Sequence, residues 1–276
     1  MKEPLYIKWI VSEKACIQGC KCDFRCFKID YNSDSAVLDN WALHIRRQYI
    51  TDAELNDECT LLDISPEQYL KEYIIPQKHD PMGSVARSNV ITEVLIADLL
   101  EFVYNYQVPR VKLYNLSGKN VSEQGTDVIG YRFANQDNTP STKDILIAAE
   151  VKASLAKADV SVIPESVEHS AKDEYRLSKT LNHVRRKLRD IGNQQEAEKI
   201  RRFQLKTDTD YTVKYIAAGV TSLNSLNCSD TNGIKKYSVP NLMGDKLMIR
   251  KDQCVFFIHG CDLLSLAHAV FERCCK

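Results

Sequence analysis

The segment from Asp144 to Ala153, DILIAAEVKA, constrains the fold more than any other part of the chain. Its length and apolar character predict a strand in the interior of a sheet, because such strands are covered on both faces. Glu150 and Lys152 place two opposite charges near its end. Since successive strand residues alternate between faces, both side chains project to the same side. Buried charges are costly without partners, so we expect an ion pair there or a bound ligand.

The rest of the chain supplies helices and strands in alternation. Hydrophobic periodicity and capping signals predict helices over 35–50, from Ser65 and Pro66 onward, over 85–104 with a cap near Ser88 or Asn89, over 170–203 with an interruption at Gly192, and over 261–274. Strands are predicted over 4–11, 111–115, 125–133, 211–222 and 253–259, with a loop at 134–143. This order predicts an α/β protein with a mixed central sheet flanked by helices. The proline- and glycine-containing stretch 76–84 predicts the boundary between an N-terminal accessory region, residues 1–80, and a core, residues 81–276.

The composition is that of an ordinary globular protein. Of the 276 residues, 44% are hydrophobic and 27% are charged, and no apolar run is long enough to span a bilayer. The N-terminal sequence MKEPLYIKWIVSEK has no secretory pattern, so the expectation is a cytoplasmic protein with no membrane partner. Lys plus Arg and Asp plus Glu both number 37, which argues against a protein that coats nucleic acid by bulk charge.

The charges are nevertheless segregated along the chain. Residues 51–72 carry seven acidic residues and one lysine, a net of −6, whereas residues 172–206 carry eleven basic and five acidic residues, a net of +6. The basic segment predicts a surface for a polyanion such as DNA, with Lys179, Arg185 and Arg186 as candidate phosphate contacts. The other interpretation is a pair of solvated helices of opposite charge.

The ten cysteines are expected to be reduced thiols, because no secretory signal is present. Four of them, Cys16, Cys20, Cys22 and Cys26, have the spacing C-x3-C-x-C-x3-C. Four thiolates can hold structural Zn²⁺, but zinc sites usually use separated C-x2-C pairs. We therefore favour free, partly buried thiols and keep a zinc-bearing regulator as a weaker alternative.

Two further acids are expected to join Glu150. Asp127 lies 23 residues earlier, in the predicted strand 125–133. Antiparallel pairing of the two strands through the loop 134–143 would bring these carboxylates together. Glu93 stands on an apolar helix face, where an acid is unusual unless it faces a cation. The spacing therefore predicts a group of carboxylates around a cation.

Such a group is suited to phosphodiester chemistry. Mg²⁺, with Mn²⁺ as an alternative, is commonly held by one or two carboxylates together with waters and phosphate oxygens. We assign Asp127, Glu150 and Glu93 as metal ligands. Lys152 would orient a water or stabilise developing charge. The other interpretation is a structural Glu150–Lys152 salt bridge with Asp127 in an unrelated turn.

Other catalytic patterns are absent from the sequence. There is no G-x-x-x-x-G-K-[ST] loop for ATP hydrolysis and no G-x-S-x-G turn for a nucleophilic serine. The histidines at positions 169, 183, 259 and 268 form no recognisable ligand pattern. A second function class stays open, in which the core is catalytically silent and serves to bind DNA or a helicase.

The motifs GTDVIG and ILIAAEVKAS resemble those of the PD-(D/E)xK nuclease superfamily, and more specifically those of the HamA family, the effector component of Hachiman anti-phage defence systems. The resemblance covers about residue 85 to the C-terminus, and its sharp motifs are Glu93, Asp127, Glu150 and Lys152. Thr126 replaces the proline of the superfamily's name, which removes no ligand.

This resemblance implies a restriction-endonuclease-like core and a metal-dependent DNA nuclease with Asp127, Glu150 and Lys152 in its active site. It also implies a helicase partner, HamB, which restrains the nuclease until invading or damaged DNA is sensed.

Overall fold

The computed structural model describes residues 2–205, 210–224, 228–239, 242 and 249–276. The strands are β1 (Ile10–Glu13), β2 (Ala15–Ile17), β3 (Asp23–Ile29), β4 (Val128–Arg132), β5 (Ile145–Ser154), β6 (Thr212–Ser222), β7 (Cys228–Thr231), β8 (Ile234–Tyr237) and β9 (Gln253–Gly260). The α-helices are α1 (Ser35–Tyr49), α2 (Asp52–Leu62), α3 (Pro66–Tyr69), α4 (Gly83–Asp98), α5 (Val162–Ser170), α6 (Asp173–Asp190), α7 (Gln194–Arg202) and α8 (Leu263–Arg273). Helices α3 and α4 continue as π-helical segments over Leu70–Ile74 and Leu99–Val103. Within these residues, no helix combines the length and the apolar character that crossing a bilayer requires.

The central element is a six-stranded sheet in the order β1-β3-β9-β6-β5-β4. The four inner strands β3, β9, β6 and β5 are parallel to one another. The edge strands β1 and β4 pair antiparallel with β3 and β5. The predicted α/β class with a mixed central sheet and flanking helices is therefore confirmed. Its assignment to the PD-(D/E)xK fold stays a prediction.

Alternation along β5 divides its side chains between two layers. Ile147, Ala149 and Val151 join the core packed by α1, α4 and α8. Leu146 and Ala148 join the core packed by α6 and α7 on the opposite face. Helix α5 packs on β5 and β6 and completes the second layer. Glu150 and Lys152 lie on the same face of β5 as Leu146, so they project toward the layer of α5 and α6, away from α4.

The N-terminal segment departs from its prediction. Residues 4–11 were predicted as one strand, but Leu5–Trp9 form a 3₁₀ helix and only Ile10 begins β1. Strand β3 was not predicted, although its sequence DFRCFKI alternates in polarity. Both β1 and β3 belong to the main sheet, and α1 packs in the same core as α4 and α8. The division between residues 1–80 and 81–276 stays a prediction about chain organisation.

Several other elements agree with the sequence. Helices α1 and α8, strands β5, β6 and β9, the loop after β4 and the interruption at Gly192 are confirmed. Ser65 caps α3 by accepting a hydrogen bond from Gln68 N at 3.2 Å, as predicted. The predicted helix over 170–203 is confirmed as α6 and α7, which are separated at Gly192, whereas α5 before it was not predicted.

Three predictions were wrong in detail. Helix α4 begins at Gly83 after Met82 in the left-handed conformation, so neither Ser88 nor Asn89 is its cap. The predicted strand 125–133 begins only at Val128. Residues 111–115 form a turn closed by a hydrogen bond from Tyr114 N to Val111 O of 3.2 Å, not a strand.

Candidate functional site

Asp127 is held next to β5 by a constrained loop. Gly125 has φ +135°, and a Cβ at this position would lie 2.7 Å from Thr180 Oγ1, so the chain passes α6 more closely than another residue would allow. Thr126 N donates to Thr180 Oγ1 at 3.2 Å. Asp127 Oδ2 then accepts a hydrogen bond of 2.9 Å from Val151 N, in the middle of the Glu150–Lys152 motif.

The antiparallel pairing of β4 with β5 is confirmed. Val128 lies opposite Ala149 in the register of the two strands. Asp127 directly precedes Val128, so its carboxylate comes to the end of β5 that carries the two charges.

Lys112 joins Glu93 to Asp127. Its Nζ lies 2.8 Å from Glu93 Oε2 and 3.1 Å from Asp127 Oδ1, and it donates to the Asp127 backbone carbonyl at 3.2 Å. Burial opposes the charge on Lys112, but the two carboxylates outweigh it and raise the lysine pKa. Burial also raises the pKa of Glu93 to about 7, although Lys112 opposes the shift. Sequence reasoning missed Lys112, because it falls in the turn that was predicted as a strand.

Glu150 and Lys152 form the expected ion pair. Lys152 Nζ lies 2.6 Å from Glu150 Oε1, and the Glu150 residue is only 2% exposed. His169 Nδ1 lies 3.5 Å from Glu150 Oε1, and Arg176 Nη1 lies 3.7 Å from Glu150 Oε2. Glu150 Oε2 itself has no hydrogen-bond partner, although it is buried.

Asp173 is a second buried carboxylate in the same layer. It is 0% exposed, its Oδ1 accepts a hydrogen bond of 3.0 Å from Thr126 Oγ1, and its Oδ2 is buried without a partner. Burial, and then the charge of Glu150, raise the pKa of Asp173 to about 7. A weak signal for Asp173 was its place as an acid at the start of a basic helix.

The predicted carboxylates do not gather into one compact cluster. Among the described residues, Glu93, Asp127 and Glu150 are not a trio whose ligand atoms all lie within 4.8 Å. The structure brings Glu93 to Asp127 through Lys112, and it brings Lys152 to Glu150. The reason is geometric: α4, which carries Glu93, covers the face of the sheet opposite to Glu150.

A cavity opens beside Lys112 and Asp127 and is lined across from them by His183 and Lys187 of α6. The three candidate phosphate contacts lie on this helix. Lys179 and Arg186 are exposed, whereas Arg185 is half-buried and donates to Asn182 Oδ1 at 3.2 Å. Their contact with a nucleic acid stays a prediction.

The cysteine motif is spread over two sheets. Cys16 lies in β2 of a second, three-stranded sheet with the order β2-β8-β7, whereas Cys26 lies in β3 of the central sheet. All ten thiols are free. In the part of the chain that the structure describes, no three of the four motif cysteines form a ligand cluster. Cys26 lies instead with Glu13 and His259, a grouping that the sequence did not indicate.

One comparison with known proteins gives a match, and that match covers almost the whole chain. A search of curated proteins found no match. A family model described as HamA matches residues 4–274 of the 276, a range that includes Glu93, Lys112, Asp127, Glu150 and Lys152. Since this match covers almost the entire sequence, the chain belongs to the HamA family.

Proposed function

We propose that the protein is a metal-dependent DNA nuclease that acts in Hachiman anti-phage defence. The observation that carries the proposal is the pair of orphaned oxygens, Glu150 Oε2 and Asp173 Oδ2, which are buried without hydrogen-bond partners. Each of these carboxylates is almost fully buried, and the charge of Glu150 acts on Asp173. A buried carboxylate oxygen without a partner lowers the stability of the fold, and a divalent cation would supply a partner to both oxygens.

The donor set fits Mg²⁺ or Mn²⁺, because carboxylate oxygens are hard ligands. Glu150 and Asp173 would hold the ion. Asp127 accepts from Val151 N and would become a further ligand only after its carboxylate shifts, because among the described residues these three carboxylates do not form a group with all ligand atoms within 4.8 Å. When bound, the ion polarises a phosphodiester and favours formation of hydroxide from water.

The chain's own residues would then divide the remaining work. Lys152 neutralises Glu150 and is part-exposed, so its ammonium can meet a phosphate oxygen or orient the attacking water. His169 and Arg176 lie within 4 Å of Glu150 with more than a third of each side chain exposed. They are placed to contact a phosphate. Lys112 is a positioning residue, since it holds both the carboxylate and the carbonyl of Asp127.

Membership of the HamA family supports the defence role. A HamB-like helicase would be the partner. The exposed Lys179 and Arg186 on α6 would bind the DNA backbone, since basic side chains beside a cleavage site position a duplex through its phosphates. Glu93 would stay paired with Lys112 and shape the acidic side of the cavity.

The test is cleavage of plasmid DNA by the purified chain, with and without its helicase partner. Wild type should cut in Mg²⁺ and stop in EDTA, and Glu150→Gln should not cut. Glu198→Gln is the control, because Glu198 pairs with Arg201 on the exposed surface of α7. Cutting by Glu150→Gln at the wild-type rate would refute the proposal.

A catalytically silent binding subunit is the second candidate, and one observation favours it. Lys112 already supplies a cation between Glu93 and Asp127, where the sequence predicted a metal. Binding of DNA that is insensitive to EDTA, with no cleavage in any divalent cation, would support this alternative.

A further inference from the structure

Three side chains of the types that can ligate a metal converge on the other half of the sheet. Glu13 ends β1 and lies directly opposite Cys26 of β3, and His259 lies in the adjacent β9. Their ligand atoms all lie within 4.8 Å of one another. Strand β6 separates β9 from β5, so this cluster is distinct from the proposed nuclease site.

The distances suit a tetrahedral ion. His259 Nε2 lies 3.0 Å from Glu13 Oε2, and Cys26 Sγ lies 3.7 Å from the same oxygen. Tetrahedral Zn²⁺ with its usual bond lengths separates such ligand atoms by about 3.3–3.7 Å. Shifts of a few tenths of an ångström would therefore convert the cluster into a coordination shell.

The two hydrogen-bond contacts of His259 cannot both be made by a neutral imidazole. Its Nδ1 lies 3.1 Å from the Leu223 carbonyl and its Nε2 lies 3.0 Å from the Glu13 carboxylate. Both partners are acceptors, and a neutral imidazole has only one N–H to donate. If Nδ1 donates to Leu223, as in many metal-binding histidines, the Nε2 lone pair faces a carboxylate. A proton or a metal ion must lie between them.

The neighbours of Glu13 hold its carboxylate in place. Lys235 contacts its Oε1, and the Tyr237 hydroxyl donates to its Oε2 at 3.1 Å. One sulfur, one imidazole nitrogen and one carboxylate oxygen form a ligand set that suits Zn²⁺ better than Mg²⁺.

We propose that Glu13, Cys26 and His259 form a zinc site that ties β1 and β3 to β9. Binding releases the thiol proton of Cys26 to solvent, because the thiolate is the form that ligates. Water or the Tyr237 hydroxyl, which lies 3.7 Å from Cys26 Sγ, takes the fourth position. Of the four cysteines in the N-terminal motif, only Cys26 takes part.

The test is titration of the metal-free, full-length chain with Co²⁺, followed by displacement with Zn²⁺. We expect one equivalent of Co²⁺ to give a thiolate-to-cobalt absorption band, which Cys26→Ser and His259→Asn abolish. Cys22→Ser, from the same motif but outside the cluster, should keep the band. A wild-type chain without the band would overturn the proposal and leave a protonated His259 as the explanation.

Because Cys26 and His259 are buried, either variant could fail to fold. X-ray absorption of the zinc-loaded wild type avoids this difficulty. One sulfur with nitrogen and oxygen ligands is the expected shell. A shell of three or four sulfurs would contradict the proposal and assign the zinc to the motif cysteines.

Discussion

The two ends of the central sheet carry two kinds of ionisable cluster. At the β4–β5 edge, carboxylates dominate, and two buried oxygens, on Glu150 and Asp173, have no hydrogen-bond partner. At the β1–β3–β9 end, a single carboxylate, Glu13, accepts from Lys235 and Tyr237 and meets a thiol and an imidazole. In the two proposals, the first site would bind a hard cation and the second a softer one.

The difference also lies in how each site is assembled. Glu150 and Lys152 are two residues apart on one strand, so local alternation alone pairs them. Glu13, Cys26 and His259 meet only because β3 lies parallel to β9, more than 200 residues away. We expect the two sites to respond independently to mutation, and four measurements test this independence.

A large loss of stability is expected for Lys112→Met. Removing this ammonium leaves Glu93 and Asp127 facing each other without a cation, and breaking a buried ion pair in this way costs about 3 kcal/mol. The free energy of unfolding in EDTA should fall by this amount, and excess Mg²⁺ should restore part of it. Lys71→Met, which breaks an exposed pair with Glu67, should change stability little. Equal losses for both variants would contradict the role given to Lys112.

Lys152→Met is expected to lower the rate of plasmid cleavage by about 100- to 1,000-fold, as the loss of a group that stabilises transition-state charge does. The Co²⁺ band of the Glu13–Cys26–His259 site should be unchanged. Lys157→Met serves as the control, since Lys157 is exposed and pairs only with Asp159 among the described residues. A variant that lost both cleavage and the cobalt band would mean that the two sites are coupled.

Asp173 should make stability depend on pH. Burial raises its pKa from 3.8 to about 7, so the folded state binds a proton more tightly than the unfolded state. Stability in EDTA should therefore fall as the pH rises from about 4 to 7, and Asp173→Asn should remove this loss. Since one pKa unit corresponds to about 1.4 kcal/mol, we expect the variant to gain roughly 4 kcal/mol relative to wild type between pH 4 and 8. Urea denaturation at the two pH values measures the free energy of unfolding of both proteins. The same change with pH in wild type and variant would exclude the shift.

The smallest effect is expected for Gly125→Ala. Its positive φ and its close approach to Thr180 should cost about 2 kcal/mol. Gly192→Ala also has a positive φ, but nothing lies within 4 Å of its Cβ position, so its cost should be about 1 kcal/mol. Thermal unfolding compares the two variants. A larger loss at Gly192 would show that the contact with Thr180 does not constrain the Asp127 loop.

Sequence reasoning succeeded where the signal was local. The apolar run of β5 predicted a buried strand, and the alternation of side chains along a strand was enough to place its two charges on the same face. The pairing of β4 with β5 followed from a short connecting loop. These features placed Asp127, Glu150 and Lys152 at one end of the sheet.

Sequence reasoning failed where local patterns were ambiguous or where distant segments of the chain meet. VKLYN at 111–115 alternates like a strand, but a turn forms and directs Lys112 at two carboxylates. The hairpin of β7 and β8 had a readable signal that was overlooked, since Asn232 and Gly233 both adopt positive φ in its turn. Asp173 was hidden among the charges of a basic segment, because no local pattern reveals which face of a helix becomes buried against a sheet.

Binding of Mn²⁺ to the purified chain, followed by electron paramagnetic resonance, tests whether Glu150 and Asp173 hold a divalent cation. It does not depend on finding the DNA substrate or the partner. We expect wild type to bind Mn²⁺ in competition with Mg²⁺, and both Glu150→Gln and Asp173→Asn to lose that binding while Cys26→Ser keeps it. Undiminished Mn²⁺ binding in both carboxylate variants, or none in wild type, would contradict the account.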